Sequence, residues 1–167
     1  ELFKIKSGKS LTIDKIKKEG KYPVYGGNGI RGYYDEYNLK GENIIIGRVG
    51  AYCGNIHFTK EPIWLASNSF SVNITSTLKV YLPYLAHVLR SLNLNTLARG
   101  SAQPAISYEK IKDIEISLPS FEQQKELSSW FDEIQIESQN LGKLLKLQEK
   151  IFNELSSYSI VTNCILR

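Results

Sequence analysis

Apolar residues recur at every third or fourth position from Phe121 to Leu155, FEQQKELSSWFDEIQIESQNLGKLLKLQEKIFNEL, which predicts one long amphipathic helix. With Leu127 at heptad position a, Trp130 falls at d, Ile134 at a, Leu141 at a, Leu144 at d, Ile151 at d and Leu155 at a, the seam of a coiled coil. Glu137 at d and Gln148 at a interrupt it, and polar seam residues set the register of partner helices at some cost in stability. At about 1.5 Å rise per residue the helix is roughly 50 Å long, too long to lie wholly on the domain before it. We therefore expect an arm whose stripe is covered from outside. A surface helix packed back on its own domain would carry the same period.

Upstream the period changes from helical to that of strands. Leu2 to Ile5, Leu11 to Ile13 and Ser69 to Ile74 read as short strands, and the β-branched run from Asn43 to Val49 reads as a buried one. Pro83 opens a helix over Tyr84 to Ser91 with Leu85, Val88, Leu89 and Leu92 on one face, and Tyr108 to Ile111 starts another. Ile114 to Leu118 alternates as a strand stopped by Pro119, and Ser120 with Gln123 forms the signature of a helix start. The expected fold class is α+β, a β-rich mixed globular domain over 1–119, a long helix over 120–157 and a C-terminal tail over 158–167.

Charge separates the two parts. Up to Ser120 there are 16 Lys and Arg against 10 Asp and Glu, whereas from Phe121 onward there are 5 against 7. A basic body suits a polyanion such as DNA or RNA, and a slightly acidic, apolar-striped helix suits a protein partner. Composition is that of an ordinary soluble chain, 42% apolar and 23% charged, and no apolar run approaches the length of a signal peptide or membrane span. A cytoplasmic protein without a membrane partner is expected. Cys53 and Cys164 have neither zinc-site nor disulfide-framework spacing and read as isolated structural thiols.

Three body segments hold recognition chemistry. In Tyr22 to Tyr37, YPVYGGNGIRGYYDEY, four glycines alternate with Asn28, Arg31 and five tyrosines. Glycine permits close backbone approach to phosphates, and Asn and Arg read adenine and guanine edges. Alternatively the segment is a connection whose tyrosines pack on the core. IIIGRVGAYCGN, Ile44 to Asn55, puts Arg48 at the end of a buried strand, where it pairs with a carboxylate or reaches a phosphate or base. ARGSAQPAIS, Ala98 to Ser107, carries Arg99, Ser101 and Gln103 in a polar turn.

Catalytic chemistry is not marked. His57 and His87 lie apart, the second in a helix-packing context, and no HExxH, nucleophile-elbow or methyltransferase motif is present. The expectation is a non-catalytic chain with no cofactor and no bound metal.

Taken in order, YPVYGGNGIRGYYDEY, NIIIGRVGAYCGN, IWLASNSFSV, ARGSAQPAIS and IEISLPSFEQQKEL resemble one repeat of a type I restriction-modification specificity subunit, over nearly the whole chain. The resemblance implies a target recognition domain, with a β-rich subdomain and a smaller α+β one, followed by a spacer helix that pairs antiparallel with its counterpart. It implies double-stranded DNA as ligand, a methyltransferase subunit as partner and a restriction subunit through it, on a bipartite target. Family members usually carry two recognition domains and two helices. This chain has one of each, so either a half-sized subunit that dimerises through the seam or a fragment of a longer polypeptide is expected, a fused restriction-methylation enzyme included. The competing class is a coiled-coil protein-interaction module without DNA.

Under the DNA reading, Arg31, Arg48 and Arg99 supply phosphate and guanine contacts, Asn28 and Gln103 face adenine edges, Ser101 assists, and Tyr25, Tyr33 and Tyr34 pack on sugars or bases. Trp64 is expected in the core. Arg48→Ala is predicted to weaken DNA binding more than Lys79→Ala in a fluorescence anisotropy titration, and equal affinities of the two variants would remove Arg48 from the contact set.

Overall fold

The computed structural model describes residues 2–98, 103–112 and 114–165, with side chains up to Glu154. It divides into two units, residues 1–126 and 127–167. In the first, strands β1 (Phe3–Ser7), β2 (Tyr22–Gly26), β3 (Gly29–Tyr34), β4 (Asn43–Gly47), β5 (Ile56–Thr59), β6 (Trp64–Leu65) and β7 (Ser69–Ile74) precede helices α1 (Leu82–Ser91) and α2 (Tyr108–Ile111). Helix α3 (Phe121–Ile165) begins in the first unit and runs through the second. The fold is α+β with a long C-terminal helix.

An antiparallel sheet of order β1-β7-β4-β5 holds β4 between two neighbours. Ile44, Ile45 and Ile46 of β4 are completely buried, although successive side chains of a strand point to opposite faces. Ile44 and Ile46 face the larger core, with Phe70, Leu85, Leu89, Ile106 and Ile111, while Ile45 faces a second cluster with Ile63 and Leu65. That second cluster belongs to a sheet of order β3-β2-β6, in which β2 and β3 are antiparallel and β2 and β6 parallel. The unbroken apolar run is therefore the mark of a strand covered on both sides.

Helix α1 covers the larger core through Tyr84, Leu85, Ala86 and Leu89, with Pro83 in its first turn. Leu92, expected on the same face, lies beyond the helix end and is exposed. Two expected strands do not form. Ile13 opens a 3-10 turn, Ile13–Lys15, and is 81% exposed, so no burial rewards an extended conformation there. Residues 114–118 are irregular, without ladder partners, yet Ile114 and Ile116 still pack on the larger core and the Tyr84 hydroxyl donates to the Ser117 carbonyl oxygen at 3.0 Å. The alternation marked a half-buried segment, and the missing neighbour kept it from being a strand.

Ser120 and Gln123 form the reciprocal start of α3. The Gln123 backbone N–H donates to Ser120 Oγ at 3.4 Å, and the Ser120 N–H donates to Gln123 Oε1 at 3.1 Å. The next residue fixes this first turn to the body. Gln124 is 1% exposed, accepts from the Tyr81 N–H at 2.8 Å and donates to the carbonyl oxygens of Lys79 at 3.1 Å and Pro119 at 2.9 Å. Past the expected end at 157 the helix continues to Ile165, because no proline follows Pro119 and no glycine follows Gly142 to break it. Among the described residues no helix is long and apolar enough to cross a membrane.

Gln124→Leu keeps much of the volume but leaves the Tyr81 N–H and two carbonyls without a partner. It is expected to cost about 1–3 kcal/mol in urea unfolding. An unchanged midpoint would show that water reaches these groups.

Candidate nucleic-acid interface

Strand β4 ends at Gly47, and the chain turns back into β5 through a tight loop. The Gly47 N–H donates to the Asn55 carbonyl oxygen at 2.9 Å and the Gly54 N–H to that of Gly47 at 2.8 Å. The segment Tyr22 to Tyr37 is the hairpin β2–β3, with Gly27 and Asn28 at its tip and Gly29 at φ +87°, a left-handed conformation that favours glycine. The tip lies directly on the end of β4. A Cβ at Gly27 would stand 3.2 Å from the Gly47 Cα and 3.5 Å from the Tyr52 carbonyl oxygen, a crowded approach, and one at Gly47 would collide with that oxygen. His57 secures the tip, its Nε2–H donating to the Gly27 carbonyl oxygen at 3.0 Å.

The third segment reaches the same place. Gly50 N–H donates to the Pro104 carbonyl oxygen at 2.8 Å, Ile106 N–H to that of Arg48 at 2.9 Å, and Val49 pairs with Ala105. All three sequence segments with recognition chemistry are thus gathered at one end of β4.

Asn28 is exposed at the hairpin tip and Gln103 is exposed beside Pro104. Arg31 owes its direction to a β-bulge: Val24 pairs with Gly32 and Tyr25 with Ile30, leaving Arg31 as the extra residue. Arg48 is exposed, its backbone N–H donates to the Asn68 carbonyl oxygen at 2.9 Å, and its guanidinium stands 5.3 Å from the Phe70 ring centroid. The aromatic ring steadies the cation while the residue stays exposed. Among the described residues Arg48 has no carboxylate partner. Arg99 and Ser101 lie outside the described residues.

The tyrosines divide differently. Tyr34 packs edge-on against Trp64 at 5.0 Å between ring centroids, with Trp64 itself half-buried. Tyr25 packs on the Ile45 cluster and tilts against His57. Burial first, then the Glu61 carboxylate and Tyr33, raise the Tyr25 hydroxyl pKa, so it stays protonated. Tyr33 exchanges two backbone hydrogen bonds with Lys17, each 2.9 Å, and is half-buried. Cys53 is a buried free thiol donating to the Arg48 carbonyl oxygen at 3.1 Å, and burial raises its pKa.

On α3, the seam residues Trp130, Ile134, Leu141, Leu144 and Ile151 are all exposed, between 49% and 62%, while Leu127 is half-buried and the Leu155 side chain lies outside the described residues. Phe131, Leu145 and Phe152, also exposed, occupy heptad position e and widen the stripe beyond the a and d positions read from the sequence.

A family model described as the type I restriction modification DNA specificity domain matches residues 1–158, and the chain belongs to that family. Among curated relatives, the specificity subunit of the type I restriction enzyme EcoprrI from Escherichia coli is 29% identical over 170 residues, 99% of this chain and 41% of the relative. A putative type I specificity subunit of Mycoplasma genitalium is 25% identical over 100% of this chain and 42% of its own length. The chain thus spans about two fifths of these relatives. The crystal structure of a type I restriction-modification S subunit from M. genitalium has the same fold over 89% of this chain and 41% of its own, with a TM-score of 0.72 at 24% identity. A Thermoanaerobacter tengcongensis HsdS subunit matches over 81% of this chain and 36% of its own, with a TM-score of 0.59 at 17% identity.

Gly47→Ala would drive a methyl group into the Tyr52 carbonyl oxygen and towards the hairpin tip. It is expected to cost about 1–3 kcal/mol in urea unfolding and to shift the amide NMR signals of Gly27 and Asn28. Gly142→Ala, which meets open space, is the control. Unmoved Gly27 and Asn28 signals would show that the tip does not depend on Gly47.

Proposed function

We propose that this chain is a non-catalytic unit that reads one half of a bipartite DNA target in the cytoplasm and positions a methyltransferase subunit, and through it a restriction subunit, on that site. The observation that supports the reading is the gathering of the Gly27–Asn28 tip, the Arg48 loop and the Gln103 turn at one end of β4. Solvent-directed Arg and amide side chains there match what base edges and phosphates require, held on a backbone with little freedom to move. Net positive charge on the body adds a sequence-independent attraction to the duplex.

In this reading Arg31 and Arg48 face phosphates or guanine and Asn28 and Gln103 face adenine edges, and Arg99 and Ser101 are further candidates for DNA contact that lie outside the described residues. Tyr25 and Tyr34 act by holding the hairpin rather than by touching DNA. The exposed stripe of α3 pairs antiparallel with a second such helix, from a second copy or from a longer polypeptide, and fixes the distance between two half-sites.

Selection from a randomised duplex library by the chain, alone and with the adjacent methyltransferase subunit, tests this. A split motif is expected, with affinity falling linearly as salt rises on logarithmic axes. No enrichment even with the methyltransferase subunit present would sink the proposal.

A further inference from the structure

A polar surface cleft of about 240 Å³ lies beside the hairpin tip and shares only Gly54 and Asn55 with the sequence motifs. Asn55 and His57 form one wall, and Arg90, Asn93 and Asn95, from the end of α1 and the turn after it, form the other. His57 belongs to both places, since the ring that lines the cleft also donates to the Gly27 carbonyl oxygen. Cleft and tip are therefore parts of one surface.

The walls are fixed. Asn93 is left-handed, at φ 51°, and its carbonyl oxygen accepts from both the backbone N–H and the hydroxyl of Thr96 at 3.0 Å. Leu94 beside it is buried, and Lys110 Nζ donates to the Leu97 carbonyl oxygen at 2.5 Å, closing the 3-10 turn Leu94–Leu97. Arg90 Nε donates to the Ile56 carbonyl oxygen at 3.3 Å, tying the two walls together. By contrast the side-chain amides of Asn55, Asn93 and Asn95 are exposed and have no hydrogen-bond partner among the described residues.

Three amides without partners around one opening distinguish among ligands. A phosphate accepts hydrogen bonds only, so the amide oxygens would face it unfavourably. A base edge offers donors and acceptors together, and adenine, with an N7 acceptor beside an N6 donor, pairs with asparagine through both amide atoms. The opening holds about eight times a water's share of liquid volume, roughly 30 Å³, which suits a planar edge better than a single ion. We propose that this cleft is a base-reading subsite with an adenine preference, in which Asn93 and Asn95 contact the base and Arg90 positions the wall between them. The inference rests on the DNA-recognition reading above and adds a subsite to it.

The test is the same library selection with the methyltransferase subunit present, run on the unmodified chain and on three variants of matched thermal stability. Asn93→Gly removes the amide while tolerating the left-handed backbone, Asn95→Asp replaces the donor by a second acceptor, and Asn55→Ala trims the opposite wall. Asn93→Gly and Asn95→Asp should each lower preference for adenine at one shared position of the motif by about fivefold to a hundredfold, the size of one bidentate base contact, with the salt slope of the uncharged Asn93→Gly variant unchanged. Unchanged motifs in all three variants would overturn the subsite and leave the DNA-recognition reading standing. A uniform loss over all sequences in Asn93→Gly and Asn55→Ala would assign the cleft to phosphate and also overturn the base-reading role. If the unmodified chain selects no motif, both proposals fall together.

Discussion

The molecule depends on one short strand that is buried on both faces. Ile44 and Ile46 hold the larger core and Ile45 the smaller, so a one-residue slip of β4 would bring Asn43 or Gly47 into a position that isoleucine fills. Fully burying an isoleucine side chain is worth roughly 1.5–3 kcal/mol, and three buried in a row anchor this stretch of backbone between the two clusters. Whatever leaves the end of β4 leaves from a fixed point. Glycine is required there because the hairpin tip and the Tyr52 carbonyl both approach Gly47 within the space a side chain would take.

That rigidity gives the polar surface its meaning. Exposed asparagine and arginine side chains are solvated on any protein, and they acquire specificity only when the backbone beneath them cannot move. Here the Arg48 backbone is bonded on both sides, to Asn68 and to Ile106, while its guanidinium rests over Phe70. Arg31 is aimed by a bulge and Asn28 by a glycine turn braced on His57. Backbone contacts set the geometry, and side chains with spare hydrogen-bonding capacity stand at the end of it.

The helix obeys a different constraint. Its first turn is fixed to the body by the cap at Ser120 and by Gln124, whose buried amide serves three backbone groups. Between Trp130 and Phe152 its large apolar residues are exposed, and a stripe with anchors as large as Trp130 and Phe131 is of the kind that pairs with another surface.

The sequence by itself determined the elements whose stability is local or periodic. The helical period of α3, its Ser120–Gln123 start, the buried β4 run, the helix after Pro83 and the family resemblance were all legible, because each is written as a spacing or a motif within a few residues. Strands at Leu11–Ile13 and Ile114–Leu118 were read wrongly, since alternation reports which residues are covered and not whether a neighbouring strand is there to pair. Only the tertiary structure decided that Gly27, Gly47 and Tyr52 meet, that Gly50 bonds Pro104, that His57 braces a turn thirty residues away in the chain, and that Tyr25 packs on the Ile45 cluster and Tyr34 on Trp64. The three backbone bonds of Gln124 were decided there too. A long-range hydrogen bond has no period and no spacing, so it leaves no mark in the chain until the core has folded and brought its partners together.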